Sequence, residues 1–118
     1  MKRAERVVTF TVEQITAYAE PSGDHNPIHA DADFARSVGL PGIIAHGMLQ
    51  MSILGCVAVE VAGGGAHLRR LYCRFSGMVE PGDTVTFTAE DAGAGKLALS
   101  AVNQRGEPVL TKASAEYL

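Results

Sequence analysis

Residues 47–61 read GMLQMSILGCVAVEV, and the fold turns on how this run is taken. Met48, Leu49, Met51, Ile53, Leu54, Val57, Ala58 and Val61 cover nearly the whole circumference of a helix drawn through it. A helix apolar all round is a buried helix. At about 1.5 Å per residue it extends roughly 20 Å or more, most of the depth of a small domain. Gly63-Gly64-Gly65 ends it. The longer apolar stretch, residues 43–62, is interrupted by His46, Gln50 and Glu60, and a bilayer span needs about 20 mostly apolar residues, so no membrane span is expected.

Downstream the period changes from helical to twofold. Residues 67–75 place Leu71, Cys73 and Phe75 on one face and Arg70, Tyr72 and Arg74 on the other. Pro81-Gly82-Asp83 is a turn, after which residues 84–90 alternate with Val85, Phe87 and Ala89 inward. Residues 96–103 and 109–118 complete an antiparallel meander across short glycine-bearing turns.

Upstream, residues 6–12 are β-branched and predict a first strand. Residues 13–20 suit a short helix with Ile15 and Tyr18 on one side, stopped by Pro21, because a residue preceding proline avoids the helical region. Residues 31–37 read as another short helix with Asp31 as its N-cap, broken by Gly39-Leu40-Pro41-Gly42. Strand, helices, one long apolar helix and then an antiparallel run give an α+β arrangement, one sheet curled around the helix. The opposite sheet face then needs a second copy to cover it, so a dimer is expected.

The 118 residues are expected to form one domain spanning the whole chain. A net charge of −3 argues against a nucleic-acid binder, which carries a basic surplus. Arg69, Arg70 and Arg74 are the only dense basic group; they fit phosphates or an acidic carrier surface less well than ordinary solvated charges, because strand alternation splits them. Cys56 and Cys73 are too few and too distant for a disulfide framework or a zinc site, and read as small core residues of a reducing compartment. The first residues lead into no signal-peptide run, and the expected location is cytoplasmic.

Two stretches carry chemistry. In SGDHNPIHAD, residues 22–31, Asn26-Pro27 reverses the chain, so Asp24 and His29 can approach each other. Two proton-handling groups aimed at one space can hold a water, as adding water across a double bond requires. Alone, the stretch is read more readily as a turn, with Asp24 a turn residue and His29 a surface or capping imidazole. In Gly42-Ile43-Ile44-Ala45-His46-Gly47-Met48 the chain passes from loop into the long helix. The first helical N–H groups lack internal partners, and Gly47 lets a carbonyl oxygen approach one closely, an oxyanion site. Equally weighted is a Gly47 that only eases helix entry, with His46 as a cap. Asp24, His25, His29, Asp31 and Asp33 fit no zinc or calcium spacing. Met48 and Met51 are better read as core packing than as walls of an acyl tunnel.

Together, Tyr18-Ala19, Ser22-Gly23-Asp24-His25-Asn26-Pro27-Ile28-His29 and Ala45-His46-Gly47-Met48 resemble the signature of the MaoC-like, R-specific enoyl-thioester hydratases and 3-hydroxyacyl-thioester dehydratases. Pro81-Gly82-Asp83 is similar to that family's turn between two strands. The resemblance runs from about residue 6 to the C-terminus. It implies a hot-dog fold, with the long helix as sausage and the sheet as bun, and a dimer as the usual unit. It also implies Asp24 and His29 as catalytic pair and a Gly47 N–H that polarises the thioester carbonyl. Asn26 fixes the loop, and Ala45, His46 and Gly47 line the thioester end of the pocket. The substrate it implies is an acyl thioester of coenzyme A or acyl carrier protein, with no metal or other cofactor. Many members carry an extra segment before the first strand, and some short relatives are one half of a heteromer, so a heteromeric partner stands beside the homodimer.

Two other functions fit the fold. A hot-dog thioesterase needs an acid on or beside the central helix, and the only one within it, Glu60, lies at the end opposite Gly47. A non-catalytic acyl-thioester-binding subunit does not need both Asp24 and His29.

Overall fold

The computed structural model describes residues 2–64 and 67–118. In chain order the elements are β1 (Arg3–Thr9), α1 (Val12–Ser22), a 3-10 turn (Pro27–His29), α2 (Ala32–Ser37), α3 (Gly47–Ala62), β2 (Leu68–Phe75), β3 (Thr84–Gly93), β4 (Lys96–Asn103) and β5 (Pro108–Tyr117). The five strands form one antiparallel sheet in the order β1-β3-β4-β5-β2. Helix α3 lies against it, the hot-dog arrangement.

α3 begins at Gly47 as expected and ends on Gly63, whose left-handed φ of 90° lets its N–H bond Val59 O. Gly65, part of the expected stop, lies outside the described residues. Leu49, Leu54, Val57, Ala58 and Val61 pack into one core with Val85, Phe87 and Ala89 of β3 and Leu97, Leu99 and Ala101 of β4. The helix is buried on this side only, however: Met48, Ser52, Cys56 and Glu60, spaced at i, i+4, i+8 and i+12, form an exposed stripe. Met48 and Cys56 are therefore not core residues, and Cys73 is half-buried.

β1 starts and ends three residues before the expected bounds. Its register runs from Arg3 opposite Glu90 to Thr9 opposite Thr84. Beyond that Phe10 turns into the core, held by its N–H on Asp83 O, and the Thr11 hydroxyl accepts from Gln14 N–H to start α1. α1 does not stop before Pro21 but includes it and runs to Ser22. The missing proline N–H forfeits one helical bond, to Ala17 O, while the Ser22 hydroxyl donates to Ala19 O. Gly23, at φ 72°, ends the helix. Asp31 caps α2, accepting from Asp33 and Phe34 N–H.

The curl around α3 has a local cause. Between Ser114 and Thr111 β5 carries one residue more than either neighbour, with a register shift against both β2 and β4. Lys112 there takes φ 48°. A bulge in a strand paired on both sides bends the sheet and raises its twist. The outer sheet face presents Thr86, Thr88, Ser100 and Lys96 together with the exposed apolar side chains of Val7 and Tyr72. Further exposed apolar side chains sit at Met48, Phe75 and Met78 around the β2 edge.

Candidate active site

The 3-10 turn and the entrance to α3 bring the two chemical stretches together. Asn26 caps the 3-10 turn, its Oδ1 accepting from Ile28 N–H, so it fixes the loop as expected. Ile44 N–H bonds Ile28 O and Ala45 N–H bonds Val79 O, pinning the second stretch between loop and sheet. His29 Nδ1 lies 2.8 Å from Ile44 O. A carbonyl only accepts, so Nδ1 carries the proton and neutral His29 keeps its lone pair on Nε2.

That Nε2 lies 3.7 Å from Asp24 Oδ2. One oxygen of the carboxylate and the main chain that carries it are both held. Oδ1 accepts from Asn26 N–H, Asp24 N–H donates to the Ser22 hydroxyl, and Asp24 O accepts from His46 Nε2. Asp24 Oδ2 and His29 Nε2 are both acceptors, too far apart to bond each other directly. Each can take one hydrogen of a single water at about 2.8 Å. The Asp24 side chain is 45% exposed and that of His29 9%, so the pair joins solvent to the interior.

His29, Ile44, Ala45, Gly47, Gln50 and the segment 75–78 line a cavity of about 400 Å³. Ala45 and Gly47 are thus both cavity-lining residues. The Phe75 ring lies over Gly47: a Cβ added there would meet three ring carbons at 3.2 Å. The close approach that Gly47 allows here is that of the Phe75 ring, at the first residue of α3. His46 does not line the cavity. It is fully buried, its ring stacked on His29 at 3.8 Å and edge-on to Tyr18 at 5.0 Å, and it makes no side-chain cap on α3. Burial holds its pKa below the ordinary histidine value, opposed by the bond to Asp24 O. Its Nδ1 has no hydrogen-bond partner among the described residues. The imidazole that the sequence assigns to the pocket wall is a support behind the catalytic candidates.

Ligand atoms of Asp24, His29 and His46 lie within 4.8 Å of one another. Imidazole lone pairs lie in the ring plane, and these planes are only 23° from parallel with ring centroids 3.8 Å apart. They do not converge on one ion, so the residues do not fit a metal centre. Of the other acids considered, Asp31 is spent on its cap and Asp33 pairs with Arg36. Arg69, Arg70 and Arg74 are exposed and line no part of this cavity. Gln50, buried in the cavity wall, is a site residue that the sequence does not mark, since there it is only a polar interruption of an apolar run.

The model of the MaoC like domain matches residues 2–113. The chain belongs to that family. Among the MaoC-like chain's relatives, a fatty acid synthase subunit beta of Aspergillus oryzae is 39% identical over 92 residues, 75% of this chain and 4% of that protein. A probable dehydratase of Ajellomyces capsulatus is 37% identical over 104 residues, 86% of this chain and 28% of that protein. The chain therefore spans a small part of these curated relatives. The solved (R)-hydratase of A. caviae, described as involved in PHA biosynthesis, superposes with a TM-score of 0.83 at 26% identity, covering 97% of this chain and 91% of that one. Relatives and neighbours carry hydratase and dehydratase names, which places the chain in a hydratase/dehydratase family. No helix among the described residues is long and apolar enough to cross a membrane.

Proposed function

We propose that the chain is an R-specific enoyl-thioester hydratase and, in reverse, a 3-hydroxyacyl-thioester dehydratase. The observation that carries this reading is the Asp24 Oδ2–His29 Nε2 gap of 3.7 Å beside a cavity floored by Gly47 at the start of α3. A water held by the pair directs its oxygen lone pairs at C3 of a trans-2-enoyl thioester. One of the two groups accepts a proton as the C3–O bond forms. The electrons of the double bond move to the thioester oxygen, where the Gly47 N–H at the positive helix end receives the developing enolate charge. The pair then returns a proton to C2 on the same face, completing syn addition with atoms balanced. Which group starts as base belongs to the pair as a unit. The acyl carrier is coenzyme A or acyl carrier protein.

The thioesterase reading lacks its acid: Glu60 is exposed at the far end of α3 and paired with Arg6 at 2.8 Å. A purely binding subunit has no use for an anchored carboxylate facing an imidazole lone pair. The assembly we propose is a homodimer, supported by the exposed apolar residues around the β2 edge and on the outer sheet face. A heteromer is the alternative.

The test is a crotonyl-CoA assay that follows loss of enoyl absorbance, release of free thiol and product configuration. Hydration to the 3R product supports the proposal. Thiol release without hydration would establish the thioesterase, and tight binding with neither reaction the passive subunit.

A further inference from the structure

Gln50 is not used by this chemistry, yet it sits inside the site. It lies three residues into α3 from Gly47, and helical side chains lean back toward the N-terminus, so it covers the same end of the cavity. It is 3% exposed and shares the cavity wall with His29, Ala45 and Gly47; Ile44, Phe75 and Met78 make much of the rest apolar. Its Oε1 is buried with no hydrogen-bond partner among the described residues. Other buried positions of α3 are Leu49, Leu54, Val57, Ala58 and Val61, so an apolar side chain would satisfy packing without burying an unpaired carbonyl. The terminal amide torsion is soft, so the buried oxygen can meet a ligand in the cavity by a turn about it.

An unpaired acceptor needs a donor on the ligand. A plain enoyl chain has none and would seal the oxygen further from water. A hydroxyl on the chain supplies one. We propose that Gln50 is a specificity-determining residue that hydrogen-bonds the bound acyl group, selecting acyl thioesters hydroxylated along the chain over plain alkyl thioesters of the same length. This rests on the acyl-thioester reading of the cavity. A site built around such a bond discriminates strongly against the analogue lacking it, because its buried polar group is then left unpaired.

The experiment measures calorimetric affinity for hexanoyl-CoA and for its 4-, 5- and 6-hydroxy derivatives. It uses wild type, Gln50→Leu and Gln50→Met, the second keeping side-chain length without the amide. Wild type is expected to bind at least one hydroxylated thioester about tenfold more tightly than hexanoyl-CoA, with the ratio falling to near one in both variants. A ratio near one in wild type, or one unchanged in the variants, overturns the proposal; the latter would leave Gln50 as packing or as a partner of the carrier arm. Crotonyl-CoA hydration by wild type, measured alongside, reports on the hydratase reading separately, since crotonate carries no hydroxyl and the affinity ratio needs no turnover.

Discussion

The rings of His29 and His46 stack with centroids 3.8 Å apart and planes 23° from parallel, while His46 Nε2 donates to the backbone oxygen of Asp24 at 3.1 Å. One buried side chain thus touches both halves of the proposed catalytic pair. Contact with the imidazole is through its face, and contact with the carboxylate runs through the main chain that carries it. His46 touches no cavity surface, so its role is to position.

His46→Phe keeps a ring to stack on His29 and deletes the bond to Asp24 O. If the pair works as proposed, kcat falls roughly 10–100-fold with KM little changed, because small misplacement costs transition-state geometry more than binding. An unchanged kcat in a folded variant would show that the contact is packing alone.

The same residue gives a pH signature. Burial holds native His46 below the unfolded histidine value of 6.5, so the native state resists a proton that the unfolded chain accepts. Stability from this group is complete above about 6.5 and declines as pH falls from there to the native value. Urea midpoints between pH 5 and 7.5 are expected to drop more steeply for wild type than for His46→Phe. Parallel curves would remove His46 as the source.

Asp24→Asn retains the Oδ1 bond from Asn26 N–H and puts an amide NH2, a donor, where the carboxylate acceptor faced His29. His29→Ala removes the other acceptor outright. Each is expected to lower crotonyl-CoA hydration by about 10²–10⁴-fold, the usual worth of general acid–base help. Full activity in either folded variant would end the assignment.

Asp83 is nearly buried at the turn between β2 and β3, where Glu80 N–H and Gln104 Nε2 donate to it and Arg105 lies 3.6 Å away. Burial raises its pKa, but those bonds and the Arg105 charge outweigh it and hold the carboxyl below the usual value of 3.8. Its stabilisation is present above about 3.8 and is lost as pH falls through the native value. Asp83→Ala strands the Glu80 N–H and Gln104 amide and is expected to cost about 2–3 kcal/mol at neutral pH. The gap in urea midpoint between wild type and this variant should narrow as pH is lowered below about 3.8. A gap that widens there would reverse the sign assigned to Asp83.

What was legible in the sequence was whatever local pattern decides. The alternation of Val85, Phe87 and Ala89 and the Asp31 cap are short-range facts, and both elements stand as read. The Asp24–His29 approach comes from a turn that Asn26 caps. Long-range packing decides the rest. β1 is set by its register on β3 rather than by its own β-branched residues. Pro21 does not stop α1 ahead of itself: at the last turn it forfeits one bond, to Ala17 O, and the helix ends one residue later. An all-apolar helix predicts burial of every face, but one sheet covers only one side, leaving Cys56 exposed. His46 and Gln50 each look like a polar interruption; which of them faces the cavity depends on the approach of Tyr18, His29 and Phe75, from elements far away in sequence.

The β3–β4 connection offers a check of the backbone itself. Ala94 and Gly95 alone link Gly93 to Lys96, with φ of 56° and 75°, the two-residue turn whose central positions are both left-handed. Gly95 is required twice over, since a Cβ there would lie 2.9 Å from Tyr117 O. Ala94 has no such contact to defend and sits where asparagine or glycine is favoured, because a left-handed Cβ crowds its own carbonyl. Ala94→Asn is expected to stabilise the chain by about 0.5–1 kcal/mol, and Gly95→Ala to destabilise it by more than that. Thermal melts of the two variants should therefore move in opposite directions from wild type, and a shared direction would contradict the turn geometry.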